Sequence, residues 1–472
     1  MAENRADLQG TKVLFIAYFY PPTESTGVPG SMRTVKFIRN LENGECHVLT
    51  PPAAVTQDAD ALAHISLPIN GEKIHRVASW DIFRLLLSVR SGLRRLTGRG
   101  KQSGKAGNAD ASSKSAFKSS SNSTAVSRSQ RFKDFVYNLC YFPDQAGPWI
   151  IPALLKGRKL VRENNLDVIF ATGSPWSGLI TGYLISRTTG KPLVADFRDP
   201  WVNNPFHQSK GQTLDTWSAK LEQKIVRHAD AVSLNTEALR DEFLQRYPDL
   251  PANHFFVMAN GIDRQDFQHI TGRQNEAADS TTLTLCHAGF LYGVRDPGPL
   301  LDALREFESQ RRPDDPAIVF KQIGDVSLSY DITERYADLI DQGRLILEPA
   351  MPYQACLNEL AQADIVVNIQ SGTKTQIPSK LYDYLAINRP ILHLTPDSGA
   401  LARLVNKYQL GTSIDFDQPD GLRLYLAKQA ARTGKGEPIE ETYPQRDRFL
   451  IEEISKNLAD KLIQVTHGAS QR

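Results

Sequence analysis

Lys12-Val13-Leu14-Phe15-Ile16-Ala17-Tyr18 is short, apolar on both faces and followed by the turn-rich loop Pro21-Pro22-Thr23-Glu24-Ser25-Thr26-Gly27-Val28-Pro29-Gly30-Ser31. A strand with one wet face alternates polar and apolar residues. This run does not, so it reads as a parallel strand covered on both sides. A helical pattern follows over 33–41 (Val35, Phe37, Ile38, Leu41), then a second strand over 46–50. Further strands are expected at 167–171, 192–196, 230–234 and 254–258, with helical patterns between most of them. Strand–helix alternation argues for a parallel sheet with helices on both faces.

The alternation restarts near residue 280. Strands are expected at 283–287, 318–323, 345–348, 364–369 and 390–394, and helices at 299–307, 333–341, 353–361 and 379–386. Residues 269–282 (HITGRQNEAADSTT) are polar and turn-rich and read as a connection. The amphipathic stretch 447–465 reads as a terminal helix. The fold class expected is therefore α/β, with two Rossmann-like domains facing across a cleft. The first would occupy 1–265 and the second 280–440. A helix over 444–468 would pack back on the first.

Composition bounds the rest. A chain of 472 residues with 41% hydrophobic content can bury two sizeable cores. Lys plus Arg is 55 and Asp plus Glu is 53, giving a net charge of +2. That balance excludes a whole-protein electrostatic case for nucleic acid. The four cysteines, at 46, 140, 286 and 356, have no metal or redox spacing and suit a reducing compartment. The ten histidines are scattered, so neither a metal site nor a bound cofactor is expected. The run from Val13 ends in Pro21-Pro22 without a small-residue cleavage site, so it reads as a strand rather than a signal peptide. No run of about 18 uncharged apolar residues exists to span a bilayer.

Residues 98–130 are rich in Ser, Lys, Gly and Arg, a composition expected to stay disordered. Just before them, WDIFRLLLSVRSGLRRL (80–96) interleaves apolar residues with Arg84, Arg90, Arg94 and Arg95. It reads either as an ordinary surface helix or as a cationic amphipathic helix suited to an anionic membrane surface. The expected location is cytoplasmic, with peripheral contact at the inner face of the membrane through 80–130.

Ligands of such folds sit at the carboxyl ends of the strands. On the first unit, Gly27 and Gly30 allow close backbone approach, with Arg33 following. Asp196-Phe197-Arg198-Asp199-Pro200-Trp201 concentrates two carboxylates and an arginine at a strand end. These residues either grip acceptor hydroxyls, with one carboxylate as a base, or neutralise one another while Trp201 covers the core. On the second unit, Gly289-Phe290-Leu291-Tyr292-Gly293-Val294-Arg295 offers an arginine fork for phosphate. Gly324 and Tyr353 stand where a nucleobase would rest, and Thr373 and Lys374 where a sugar would. Ile377-Pro378-Ser379-Lys380-Leu381-Tyr382-Asp383 opens a short helix, with Pro378 and Ser379 as start signals and Asn388 and Pro390 as stops. Lys380 and Asp383, three apart, share a face: a cation for a phosphate and a carboxylate for sugar hydroxyls. A solvated surface pair is the ordinary alternative.

The pieces FIAYFYPPTESTGVPGSMRTVKFIRNL, TGSPWSG, VADFRDPW, NGIDRQDF, HAGFLYGVRDPGPLLDAL and IPSKLYDYLAINRPIL occur in that order. Together they resemble the family-four glycosyltransferases of GT-B fold, bacterial exopolysaccharide, capsule or O-antigen type. The resemblance implies an acceptor-side first domain and a second domain that binds a nucleotide-diphosphate sugar. Arg295 and Lys380 would stabilise the leaving diphosphate, and Asp383 would hold ribose. It implies a retaining, metal-independent transfer to a glycan or lipid-linked acceptor. Asn260-Gly261-Ile262-Asp263 would mark the approach to the hinge. Where the family commonly carries the first carboxylate of its paired glutamates, this chain has Thr375. The competing readings are a sugar-nucleotide epimerase of the same fold and a catalytically silent scaffold.

Overall fold

The computed structural model describes residues 5–23, 29–53, 66–80, 136–204, 209–268, 270, 281–370, 375–437, 439 and 441–470. Two parallel sheets dominate them. The first contains β1 (Lys12–Ile16), β2 (Glu45–Thr50), β3 (Lys73–Arg76), β4 (Val168–Gly173), β5 (Leu193–Phe197), β6 (Ala231–Leu234) and β7 (Phe255–Val257). Their spatial order is β3-β2-β1-β4-β5-β6-β7, parallel throughout. The order reverses between β1 and β4, the place where doubly wound sheets open a crevice.

The helices of this half are α1 (Pro29–Arg39), α2 (Ile150–Glu163), α3 (Trp176–Thr189), α4 (Gln212–His228) and α5 (Glu237–Arg246). One apolar cluster lies beneath α2–α5 (Leu14, Ile16, Trp149, Ile169, Leu179, Phe197). The other lies beneath α1 (Val13, Phe15, Val35, Phe37, Phe170). Adjacent residues of β1 thus feed opposite faces, which explains its unbroken apolar run.

The second sheet contains β8 (Thr282–Ala288), β9 (Ala317–Ile323), β10 (Leu345–Glu348), β11 (Ile365–Ile369), β12 (Ile391–Leu394) and β13 (Thr412–Ile414). Its order is β10-β9-β8-β11-β12-β13, again parallel, with the reversal between β8 and β11. Around it lie α6 (Gly298–Gln310), α7 (Tyr353–Gln362), α8 (Lys380–Ile387), α9 (Ala400–Tyr408) and α10 (Pro419–Gly434). The final helix, α11 (Ile451–Ser470), leaves this half. It buries Ile451, Ile454, Leu458, Leu462 and Val465 among Val13, Phe15 and Phe170 of the first.

The crossing is pinned at Asn260-Gly261-Ile262-Asp263. Ile262 N–H donates to Phe449 O at 2.6 Å and Ile451 N–H to Ile262 O at 2.8 Å. Gly261 has φ +79°, and a Cβ there would lie 2.8 Å from Ile454 Cδ1. Glycine is required by both backbone and packing. Asp263 accepts from Arg39 Nη1 at 2.9 Å and caps Gln265 N–H at 3.1 Å.

Several expectations are adjusted. α1 begins four residues before 33, at Pro29, where a missing N–H costs nothing, and ends at Arg39. Leu41–Glu42 instead pairs with Ala6–Asp7. The helix expected over 333–341 is two short ones, Ile332–Arg335 and Ala337–Asp341, separated by Tyr336. Ser379 precedes α8 in helical conformation and its side chain makes no cap bond. Asn388, at φ +60°, ends α8 as expected. The amphipathic reading of 80–96 beyond Trp80, the tract 98–130 and most of the connection 269–282 lie outside the described residues.

Candidate active site between the two sheets

The carboxyl ends of the two sheets face each other. Gln376, four residues before α8, donates through Nε2 to Asp199 Oδ1, just past β5, at 3.0 Å. Thr236, just past β6, donates through Oγ1 to Thr375 O at 2.8 Å. The loop entering α8 therefore rests on loops of the first sheet.

At the switch point of the second sheet, β8 ends in His287-Ala288-Gly289. Lys380, the first residue of α8, points into this end. Its Nζ donates to Ala288 O at 2.7 Å and lies 3.0 Å from His287 Nε2. A Cβ on Gly289 would stand 2.6 Å from Nζ, and φ there is +126°. Only glycine leaves room for the ammonium. Burial first and the Arg295 charge second draw the Lys380 ammonium down to about 7, with Cys356 and Asp383 opposing them.

Arg295 lies on the loop between β8 and α6. Asp296 braces that loop, accepting from Tyr330 Oη at 2.6 Å and Gly298 N–H at 2.8 Å. The Arg295 guanidinium carbon sits 5.2 Å over the Tyr292 ring. Its Nε is buried without a hydrogen-bond partner among the described residues. The Arg295 charge thus reaches Lys380, and among the described residues no carboxylate bonds either cation. Gly324 (φ +113°) follows β9, and a Cβ there would lie 3.1 Å from Gly289 O. The two loops pack backbone to backbone. Gly293 (φ +34°) forms the exposed turn of the Arg295 loop.

One turn along α8, Asp383 accepts from Tyr353 Oη at 2.9 Å. Burial pushes its carboxyl up to about 6, opposed chiefly by Lys36 of α1. Lys36 itself pairs with Asp266 at 2.6 Å. Burial pulls the Lys36 ammonium down, but Asp266, Asp263 and Asp383 outweigh that and its pKa is raised.

Of the two readings open for the Asp196–Trp201 cluster, the inward one fits Asp196 and Trp201, and Arg33 joins them instead of lining the crevice. Arg33 is buried and gives Nε to Asp196 Oδ2 at 3.2 Å and Nη2 to Asp196 Oδ1 at 3.1 Å. It also donates to Met258 O, Ala259 O, Asn260 Oδ1 and Asn235 Oδ1. Asp196 is fully buried and takes two more bonds, from Thr172 and Ser233. Arg33 and Asp196 spend their hydrogen bonds inside the protein and do not face a ligand. Their role is to lock α1 and the hinge approach onto β5. Trp201 is buried and stacks on Trp176 at 5.3 Å and 3°, so it covers the core.

Arg198 is half-buried and bonded through Nε to Gly173 O at 3.2 Å; burial brings its guanidinium down to about 10. With Asp199 it remains at the crevice. Gly30 lies in the first turn of α1, while Gly27, Thr373 and Lys374 fall outside the described residues.

Sequence reasoning passed over His287, Gln322, Gln376 and Lys36. The first two are polar residues inside mainly apolar strands, which is the only signal they give. No described group of three His, Cys, Asp or Glu is placed to hold a metal ion. No described helix is long and apolar enough to cross a membrane.

Residues 123–266 match the model of Glycosyltransferase Family 4. That segment holds β4–β7, the Asp196–Trp201 cluster and the hinge approach. Solved structures share the whole architecture. Anabaena Alr3699/HepE in complex with UDP is 13% identical over 96% of this chain and 100% of that one, with a TM-score of 0.55. Sucrose-phosphate synthase from Thermosynechococcus elongatus is 11% identical over 97% and 100%, with a TM-score of 0.59. The N-terminal domain of Candida albicans trehalose-6-phosphate phosphatase is 11% identical over 97% of each chain, with a TM-score of 0.56. At these identities the likeness is one of fold, the two-lobed GT-B arrangement. No match is found among curated proteins.

Proposed function

We propose that the chain transfers a sugar from a nucleotide-diphosphate donor to a glycan or lipid-linked acceptor in surface-polysaccharide synthesis. The reading includes retention at the anomeric carbon and no metal. It rests on one observation: Lys380 Nζ is seated at the switch point of the second sheet against Ala288 O and Gly289, where the charge of Arg295, on the loop that follows, lowers its pKa. Two desolvated cations repel one another, and a diphosphate between them relieves that repulsion. The Glycosyltransferase Family 4 match over 123–266 and the UDP held by the Anabaena protein of like fold support it.

In this reading the acceptor oxygen bonds to the anomeric carbon as the bond from that carbon to the diphosphate oxygen breaks. The electron pair leaves with the diphosphate, and the acceptor proton passes to a departing phosphate oxygen. Lys380 and Arg295 stabilise charge that grows on that group in the transition state. Asp383, with Tyr353, faces the ribose. Gly293, Gly324 and the loop holding Thr373 and Lys374 border the donor, while Asp199 and Arg198 border the acceptor. A membrane contact of 80–130 would bring the enzyme to a lipid-linked acceptor.

The test is a donor panel scored by nucleotide release, with and without cell-envelope lipid extract. One nucleotide sugar should be consumed well above background, and Lys380→Ala should lower kcat by about 100-fold or more. A folded Lys380→Ala with normal turnover would remove Lys380 from the reaction. Consumption of no donor in the panel would sink the enzyme reading. Fractionation with and without 79–130 checks the membrane contact; an unchanged soluble fraction retires it.

A further inference from the structure

His287 and Gln322 belong to no part of the reading above, yet they occupy its centre. They are register partners on β8 and β9 and both are fully buried. His287 Nδ1 lies 2.7 Å from Gln322 Oε1, and its Nε2 lies 3.0 Å from Lys380 Nζ. Gln322 Nε2 donates to Gly289 O at 2.8 Å, Ile323 O at 3.1 Å and Gly324 O at 3.3 Å.

The carbonyl partners fix the orientation of the amide. Nε2 must face three acceptors, so Oε1 faces the imidazole and accepts. His287 Nδ1 must then carry the proton, and Nε2 presents a lone pair. An ammonium can only donate, so Lys380 uses one N–H on His287 Nε2 and a second on Ala288 O. The third N–H is left for a ligand, beside the glycine that makes room for it.

We propose that His287, held as the Nδ1–H tautomer by Gln322, is the positioning residue that aims the Lys380 ammonium at the donor diphosphate. This rests on the donor reading for the identity of the anion. The imidazole must stay neutral, because a proton on Nε2 would repel Lys380. Its surroundings keep it so: burial, the Lys380 charge and Arg295 hold its pKa well below 6.5, against the bond to Gln322. Among the described residues, the charged and titratable groups that bear on Lys380 are Arg295, Cys356 and Asp383 besides His287 itself, and those that bear on His287 are Lys380 and Arg295. The same Gln322 amide ties the Gly289 and Gly324 loops together, so one side chain sets both the tautomer and the shape of the phosphate-facing loops.

The test uses the full chain and four probes: UDP, GDP, ADP and inorganic pyrophosphate, with affinity read by calorimetry. His287→Gln places an amide oxygen near the Nε2 position and keeps an acceptor for Lys380. His287→Asn keeps a donor for Gln322 and loses that acceptor. The tightest probe should bind His287→Gln within about threefold of wild type and His287→Asn about tenfold or more weakly. Thermal unfolding of each variant controls for folding. Equal affinity in a folded His287→Asn overturns the positioning role and leaves the donor reading intact. A wild type that binds none of the four overturns both.

A second measurement does not depend on any ligand. With 15N-labelled histidine, His287 should show a protonated Nδ1, a bare Nε2 and no titration between about pH 8 and 5.5. An Nε2–H tautomer, or a midpoint near the free value, overturns the inference even if nucleotides bind.

Discussion

Gln376 donates to Asp199 across the gap between the two sheets, at 3.0 Å. Beside it, Thr236 donates to the Thr375 carbonyl at 2.8 Å. These bonds join the loop that leads into Lys380 and α8 to the loop that carries Arg198 and Asp199 and to the loop after β6. On the proposed reading, loop 375–379 thus couples the donor-facing and acceptor-facing groups. A part-buried neutral-to-charged hydrogen bond contributes about 1–2 kcal/mol. Gln376→Ala should therefore lower global stability by no more than about 1–2 kcal/mol while speeding amide exchange in 375–379 by about tenfold. Unchanged exchange there would mean the bridge does not restrain the loop.

Arg33 and Asp196 make a different kind of pair. Both are buried, and their bonds reach α1, β4, β5, β6 and the hinge approach. Removing one partner leaves the other charged and unsatisfied, which costs about 3–5 kcal/mol. Arg33→Met and Asp196→Asn should each lower the unfolding free energy measured in urea by that order, with any loss of turnover following the unfolded fraction. Full stability with lost activity would return these residues to the ligand.

Most of the fold was legible because both sheets are covered on both sides, and fully buried strands stand out as apolar runs. β1, β8, β9, β10, β11 and β12 lie within two residues of their expected bounds. β3 (KIHR) and β13 (TSI) escaped notice: each is an edge strand, and neither is an apolar run. The places of Arg295 and Lys380 beside the end of β8 were legible from position after a strand and from a helix start. The Arg33–Asp196 lock was not, because 163 residues separate them and a charge cluster at a strand end reads the same whether it faces inward or outward. His287 and Gln322 were hidden for a related reason: sequence shows a polar residue in a strand but not the cross-strand partner that gives it a role.

The pH dependence follows from two opposed shifts. On the proposed reading Asp383 must be ionised to accept from sugar hydroxyls, and its carboxyl is pushed up to about 6. Lys380 must be protonated to hold phosphate, and its ammonium is drawn down to about 7. The profile of kcat/KM, which reports the free enzyme, should be a narrow bell, with the acid limb from Asp383 and the alkaline limb from Lys380. Bound diphosphate favours the ammonium, so the alkaline limb of kcat should lie higher. Stability carries the same signature. Between about 7 and the ordinary lysine value the unfolded chain holds a proton that the folded one lacks, so stability rises with pH across that window. Lys380→Met should remove that rise and gain most at or below pH 7. A flat difference between Lys380→Met and wild type from pH 6 to 10 would show that Lys380 is not desolvated.

Arg295 supplies the sharpest check on the paired-cation site, because its removal should move two observables in opposite senses. Its charge is the largest influence on Lys380 after burial, and it acts by lowering the pKa. Arg295→Met removes that repulsion, so the Lys380 ammonium should persist to higher pH and the alkaline limb of kcat/KM should shift upward. The same substitution deletes one of two groups facing the diphosphate, so affinity for a nucleoside diphosphate should fall about tenfold or more. A residue that only shaped the loop would weaken binding without moving the limb. A residue far from Lys380 would move neither. Both shifts together require that the two cations share one anion-sized space, and a normal limb in a folded Arg295→Met would separate them.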